Sequence, residues 1–535
     1  MADFMTVSER SALMRAVKSN RTKPERMLGT ALRARKLRPE GNSRDLPGKP
    51  DVVFRHRRLA CFVDGEFWHG GQWRRRNLSF LEEQFTGTTE HEYWTRKVHA
   101  NIERDIRATG ELLALGWSVA RFWAGEIEAD VDAVADRVMR MHAGRERPSP
   151  FSFAATATAA DFFAGIGLMR MGLKSAGWRT VWANDCSSMK LSLYEHNLGD
   201  ESVILDPRRI EQVGVRRIPR VGLIAACFPC TDLSLAGACQ GLEKGAQSSA
   251  YLRFADLLSQ MGRRRPPFVI LENVVGLIHS DGGRDFRTCL QRLADCGFQL
   301  DAVMVDAARF VPQSRARLFV IGVRNDVQLQ PFSSASELMV ADDLRPSKLI
   351  EFMRANHDLP WAIRSLPPLP TCTRVLFDVC DRFDPSDAAW WPAARIRRLQ
   401  EQVSPRHRSM LESRIQRHGT VLATAFRRMR NGRSMAELRF DGIAGCLRTP
   451  KGGSAKQILI RADQKGWMVR HLNARECSRL MGAEGFKLDV EGISENDALF
   501  GFGDAVCVPA VEWLVRNYVN PIMAELLRGK LFALS

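Results

Sequence analysis

The stretch AADFFAGIGLMRMGLKSAGW, residues 159–178, constrains the fold of this chain more than any other. An apolar strand runs into Gly165 and Gly167, and a helical pattern follows at once. Strands of the same kind recur: RTVWAND ending at Asp185, a third reaching Asp206, then VGLIAACF and PPFVILENV. Helical stretches separate them, which is the rhythm of a wound parallel sheet. The fold class expected for this part is α/β and Rossmann-like. At the carboxyl end of the first strand the glycines let backbone approach a nucleoside, although a tight strand–helix corner explains a lone glycine turn equally well. An acid at the next strand end, about twenty residues on, is where ribose hydroxyls would be taken. Phe163, Gly165, Gly167, Asp185 and Asp206 are therefore the candidate cofactor-binding residues.

A chain of 535 residues exceeds what one core usually holds. The clearest boundary is AGRERPSPFSFAATATAAD, residues 143–161, where a helix with apolar spacing gives way to a charged, Pro- and Ser-containing segment. The expected layout is a compact α/β unit over 1–142, a linker over 143–157, the wound sheet over 158–325, a loop-rich region over 326–470, and a return to regular helix over 471–535. Net charge is +17, with Arg clusters at 33–38, 74–76, 395–398 and 427–433. Any one cluster reads as a solvated helix face, but their recurrence suits a polyanion. Twelve cysteines without regular spacing make no disulfide framework. No charged-then-apolar leader opens the chain, and no apolar run approaching membrane-spanning length is read from it, so a reducing cytoplasm and no membrane partner are expected.

The fourth strand ends AACFPCTDLS, and Cys227 and Cys230 form a C-x-x-C. A zinc site would want a second Cys or His pair, and none lies suitably spaced nearby. A thioredoxin-like motif would open a helix in a much smaller domain. The alternative is that Pro229 fixes the loop and presents Cys230 as a nucleophile. DFFAGIG, the FPC loop, LENV, QSRAR, RECSRLMG and GFGDAV occur in the order and spacing of the DNA cytosine-5 methyltransferases, which residues 158–535 resemble. The resemblance implies S-adenosylmethionine as cofactor and a cytosine flipped out of duplex DNA. Cys230 would add to ring carbon 6, and Glu272 would hold or protonate ring nitrogen 3. Arg315 and Arg317 would position base and phosphate, strand alternation placing both on one face. Residues 326–470 would be the target-recognition region, with Arg428 and Arg430 of RRMRNGR among its DNA contacts. Three departures stand out: Leu168 in place of a further glycine, Asp185 for the commoner Glu, and Asp504 for the usual Asn.

Residues 1–142 hold a second constellation. DLPGKPDVVF puts Asp51 at the start of a strand, and LACFVDGEFWHG carries Asp64, Glu66 and His69. Acids on paired strands are how many nucleases hold Mg²⁺, a hard cation. Downstream, EHEYWTRKVHANIERDIRATGELLALGW reads as a helix with Asp105 near its middle. TKPE, LPGKPDVVF, VDGEFWHG, Trp94, NIERD and LGWSVARFW resemble the very-short-patch mismatch endonucleases (Vsr), with a PD-(D/E)xK-type fold. The resemblance implies Asp51 as main metal ligand with Asp64 and Glu25, His69 as acid or base, and Asp105 as a supporting partner. Phe67, Trp68 and Trp94 would form an aromatic wedge at the mismatch; ordinary core is the plainer reading of any one of them. Family members often carry zinc, but its positions here read Glu66, Gly71, Trp73 and Gly125, so no zinc is expected.

Three functions follow. A cytosine-5 methyltransferase could be joined to a nuclease that nicks the T:G pair left when 5-methylcytosine deaminates. The chain could instead be a one-chain restriction–modification enzyme, since D-G-E approaches the D-x-E of some restriction nucleases. Or the nuclease-like part could only clamp DNA. Double-stranded DNA is the expected partner throughout. Other mismatch-repair proteins are candidate partners, and a monomer is expected.

Overall fold

The computed structural model describes residues 21–146, 157–200, 203–229, 249–327, 339–430, 432–449 and 456–528. Its N-terminal unit is a four-stranded sheet in the order β1 (Glu40–Gly41), β2 (Val52–Phe54), β3 (Leu59–Asp64) and β4 (Ser118–Trp123). The first three strands are antiparallel and β3 pairs parallel with β4. One face is covered by α1 (Lys23–Ala34) and α3 (Val131–His142), whose Leu28, Leu32, Val134 and Val138 pack on Val52, Cys61 and Phe122. The 24-residue α2 (His91–Ala114) joins β3 to β4, as a parallel pair requires of its crossover.

The second unit is a seven-stranded sheet in the order β10-β11-β9-β8-β5-β6-β7. β5 (Thr158–Phe162), β6 (Arg179–Asn184), β7 (Ile204–Asp206), β8 (Leu223–Ala226) and β9 (Phe268–Val274) run parallel, while β10 (Phe298–Asp306) and β11 (Ala316–Arg324) close the edge antiparallel. β5 lies between β8 and β6, and the chain winds outward from it in both directions, so its carboxyl end lies at a topological switch point. Chain stretches with both faces buried, such as Phe268–Leu271, carry continuous apolar runs.

Residues 326–470 are not one loop-rich block. Residues 339–365 belong to the catalytic core: Arg345 Nη2 meets Asp301 at 2.7 Å with both buried, and Leu349, Ile350, Met353, Leu359 and Ile363 pack under β10. A separate core begins at Trp391 and includes a sheet in the order β13-β12-β14-β15. Its strands are β12 (Val421–Arg430), β13 (Arg433–Arg439), β14 (Ile458–Asp463) and β15 (Gly466–His471). Arginines at the carboxyl end of β12 mask its apolar alternation, which is why the sequence reads as loop there.

The chain returns to the main core through α4 (Leu168–Ser175) against α5 (Val508–Leu514), and then α6 (Asn520–Leu526). An apolar helical run long enough to cross a bilayer does exist, contrary to the sequence expectation. Glu495–Leu526 meets that test, and 61% of its most apolar window is buried inside the protein. It is core: α6 lies on α2, and one apolar cluster contains Trp73, Val98, Ile102 and Ile106 together with Trp178, Leu514, Tyr518 and Ile522. The N-terminal unit and the seven-stranded unit share this core. An ion pair between Arg516 Nε and Glu103 Oε1, 2.6 Å, crosses the same boundary.

Candidate active sites

At the end of β5 the turn takes Phe163, Gly165 and Gly167 through positive φ of 56°, 58° and 90°. Gly167 has no alternative: besides its φ, a Cβ there would lie 2.8 Å from the Tyr194 ring. A Cβ at Gly165 would meet nothing within 4 Å, so the turn faces open space. Asp185 ties it down. One carboxylate oxygen accepts from Gly165 N–H at 2.9 Å and the other from Ser187 N–H at 2.9 Å. Asp206 departs from its expected part. It is buried, and both its oxygens accept from the Arg208 side chain, whose hydrogen bonds hold the carboxyl below its ordinary range. Its place at the third strand end stands, but its acceptors are spent within two residues. Asp504 receives a bond from Lys190 Nζ at 2.7 Å, so the departure from Asn has its own local partner.

Cys230 lies outside the described residues. Glu272, on β9, is buried beside the preceding loop, with Oε1 3.0 Å from Arg317 Nε but off hydrogen-bond alignment. Burial pushes the Glu272 carboxyl up, and Arg317, Arg315 and a bond with Cys227 only partly offset it. Arg315 acts as a strut. Its guanidinium donates to the carbonyls of Leu447 at 2.8 Å, Gly503 at 3.1 Å and Ala505 at 2.5 Å, and the residue is 2% exposed. It fastens the strand end to the returning C-terminal motif. Cys446, which the sequence reading passed over, sits 3.4 Å from Arg315 Nη1 and 4.0 Å from Arg317 Nη1. Burial raises that thiol, but the two arginines outweigh it and hold it below its ordinary value. Arg428 and Arg430 project from the β12–β13 hairpin, half-exposed, and both face Glu437.

In the N-terminal unit β3 ends in Asp64 and a tight turn through Gly65 carries Phe67, Trp68 and His69. His69 Nδ1 meets Asp105 Oδ2 at 2.5 Å, which commits Nδ1 and leaves Nε2 for proton transfer. Asp64, expected as a metal ligand, is instead 2% exposed and gripped by arginines. Arg121 donates to both its oxygens at 2.8 and 2.7 Å, and Arg528 reaches Oδ2 at 3.0 Å. Arg121 also lies 3.0 Å from Asp105. Asp64, His69 and Asp105 do present ligand atoms within 4.8 Å of one another. A cation there would have to displace two guanidinium groups from a buried carboxylate, a poor exchange.

Asp51 is different. Its Oδ2 accepts from Val63 N–H at 2.8 Å, and its carboxyl is pushed up to about 7 by burial, with Glu25 and Asp64 adding to the rise. Acids that repel one another in a partly dry site are the setting a divalent cation relieves. Phe67, Trp68 and Trp94 form one half-buried cluster, with ring centroids 5.0 to 5.7 Å apart. At Glu66, Gly71, Trp73 and Gly125, the positions where the resemblance would put zinc ligands, the structure has packing and hydrogen bonds. Glu66 accepts from Gly125 N–H at 2.8 Å, Trp73 is buried, and a Cβ at Gly71 would lie 2.7 Å from the Trp123 ring. Arg121 could have been noticed in the sequence as a cation inside the apolar strand SVARFW; Arg528 carried no such signal.

A glycine-turned wound sheet with a buried, proton-loving glutamate, joined to a histidine–aspartate unit beside a second acid, suits a methyltransferase fused to a nuclease. Residues 157–520 match the C-5 cytosine-specific DNA methylase family, and residues 2–75 match the DNA mismatch endonuclease Vsr family. The type II methyltransferase M.HhaI of Haemophilus parahaemolyticus is 25% identical over 67% of this chain and 92% of its own length. The type II nicking enzyme V.NmeDIP of Neisseria meningitidis serogroup C is 36% identical over 28% of this chain and 96% of its own. V.HpaIIP of Haemophilus parainfluenzae, another type II nicking enzyme, is 34% identical over 23% and 84%. The chain belongs to the C-5 cytosine-specific DNA methylases and carries a Vsr-type endonuclease domain before the methylase.

Proposed function

We propose that the two domains act in series on one DNA sequence: the methyltransferase converts its cytosine to 5-methylcytosine, and the nuclease nicks at the T:G pair that deamination of this product leaves. The observation that carries this reading is the shared core, which fixes a mismatch-nuclease centre on a cytosine-5 methyltransferase in one body. The D-G-E alternative loses its basis, because Asp64 is spent on Arg121 and Arg528, and Glu66 on Gly125 N–H.

In the methyltransferase, S-adenosylmethionine would lie against the Gly165–Gly167 turn and supply the methyl group. The open space at Gly165, with its N–H held by Asp185, fits such a ligand. The Cys230 thiolate adds to ring carbon 6 of the flipped cytosine as the C5–C6 double bond opens and makes carbon 5 nucleophilic; after carbon 5 takes the methyl group, loss of its proton re-forms the double bond and expels the thiolate. Glu272, whose burial favours its protonated form, meets ring nitrogen 3 and offsets the charge that develops there. Arg317 holds Glu272 in place.

In the nuclease, Asp51 would hold Mg²⁺, with Glu25 as a second acid once its oxygens turn from Arg21 N–H and Thr22 Oγ1, and the ion would supply Lewis acidity at the scissile phosphate. His69, oriented by Asp105, moves a proton through Nε2. Phe67, Trp68 and Trp94 enter the unstacked step. The test is incubation of the full chain and Mg²⁺ with matched unmethylated, matched methylated and T:G duplexes carrying the recognised sequence, which bisulfite sequencing of DNA from expressing cells identifies. Nicking confined to the T:G duplex is expected, and cutting of unmethylated matched DNA refutes the repair reading.

A further inference from the structure

Arg528 follows the last described helix of the methyltransferase, yet its side chain ends inside the nuclease centre. It is 2% exposed, with Nη2 3.0 Å from Asp64 Oδ2, Nη1 donating to Ala524 carbonyl at 2.6 Å, and its guanidinium carbon 3.9 Å over the Trp123 ring. Asp64 Oδ1 is in turn 3.6 Å from His69 Nδ1. The buried cluster therefore contains two carboxylates, Asp64 and Asp105, and two guanidinium groups, Arg121 and Arg528. Arg121 is shared between both acids, and Arg528 adds a second guanidinium against Asp64, beside the His69 contact. Without it one buried carboxylate would be under-compensated directly behind the histidine.

The route by which Arg528 arrives is itself built. α6 packs on α2, the helix that carries Asp105, and Glu525 lies 3.6 Å from Arg74 at the same boundary. Trp123 closes the arrangement, because its ring lies under Arg528 and against Gly71.

We propose that the nuclease centre is composite: Arg528 of the methyltransferase is a positioning residue that holds Asp64, and through it the His69–Asp105 unit, in the cutting geometry. This inference rests on the nuclease reading above. It is tested with the full chain carrying Arg528→Met, which keeps an unbranched apolar stem and removes the charge, and with Arg528→Lys and Arg528→Ala. Nicking of the T:G duplex and methyl transfer are measured on the same preparations. For Arg528→Met, kcat for nicking should fall about 100-fold with KM for the duplex little changed, the scale of a misplaced catalytic group. Methyl transfer should stay at the unsubstituted rate. Arg528→Lys should recover part of the loss, and millimolar guanidinium should restore nicking to Arg528→Ala. Nicking by Arg528→Met at the unsubstituted rate overturns the inference alone. So does a loss that neither Lys nor guanidinium repairs, or one matched by an equal loss of methyl transfer, because those mark a folding defect. Absence of nicking by the unsubstituted chain refutes the nuclease reading itself, and the composite centre with it.

Discussion

Replacing Arg121 by Met removes the cation that Asp64 and Asp105 share. Its guanidinium makes two bonds to Asp64 at 2.7 and 2.8 Å and lies 3.0 Å from Asp105, with Arg121 3% and Asp64 2% exposed. Breaking a buried pair by removing one partner costs about 3–5 kcal/mol, because the other charge stays desolvated. Arg528 still reaches Asp64 and His69 still meets Asp105, so the low end applies, about 3 kcal/mol. At 1.36 kcal/mol per decade that is roughly a 160-fold rise in local opening. The assay is amide hydrogen exchange by mass spectrometry on the full chain, comparing peptides over β3 and β4 with a peptide over β9 as internal reference. Global unfolding of a chain with several units is not two-state, so the local measurement is the right one. Exchange in β3 and β4 within about threefold of the unsubstituted chain would refute the reasoning, since local stability would not depend on the clamp. The pH dependence carries a sign as well. Burial pushes the Asp64 carboxyl up, but Arg121, His69 and Arg528 together hold it below its ordinary 3.8. Its stabilisation is therefore present above 3.8 and lost as pH falls through the lower folded value, and Arg121→Met should make that acid loss begin at higher pH.

Asp51 has the opposite sign: with its carboxyl raised from 3.8 to about 7, it stabilises the fold below 3.8 and that contribution is lost as pH rises through 7. Asp51→Asn should thus melt higher than the unsubstituted chain at pH 8 while losing nicking and any Mg²⁺-dependent gain in stability; equal or lower melting at pH 8 contradicts this. Cys230→Ser should abolish methyl transfer and keep cofactor binding by calorimetry, and full transfer would remove the thiol from the mechanism. Gly167→Ala forces φ of 90° and a 2.8 Å approach to Tyr194. It should weaken cofactor binding by at least about tenfold, and unchanged affinity would separate the turn from the cofactor. The Arg428→Ala, Arg430→Ala double variant should reduce the slope of log affinity against log salt by about 1.8 if both meet phosphate; an unchanged slope takes the hairpin off the DNA.

The elements legible in the sequence were those whose meaning is local. The strand–glycine turn at 159–167, the apolar run before Glu272 and the His69 turn each announce themselves within a dozen residues, because strand alternation and positive-φ glycine act at that range. The roles of charged residues were harder to read. Asp64 and Asp51 look alike as acids on neighbouring strands, and only the fold separates them, by bringing Arg121 from 57 residues away and Arg528 from 464. Arg315 and Arg317 likewise share a motif but not a task, since the first is committed to carbonyls at 447, 503 and 505. The β12–β15 sheet was hidden because its exposed strand ends carry arginine where alternation would otherwise show.

The core shared by α2 and α6 has a consequence for how such a protein fails. With Ile102 and Ile522 in one apolar cluster, a mutation that unravels the methyltransferase's C-terminal helices also strips the nuclease of its support. A cell carrying a damaged copy would then lose both activities together, which under the repair reading proposed above removes the mark along with its mender. Two separate genes offer no such assurance, because either can decay alone. Fusion through a common interior ties their dosage at one to one and makes joint inactivation the default outcome of damage there.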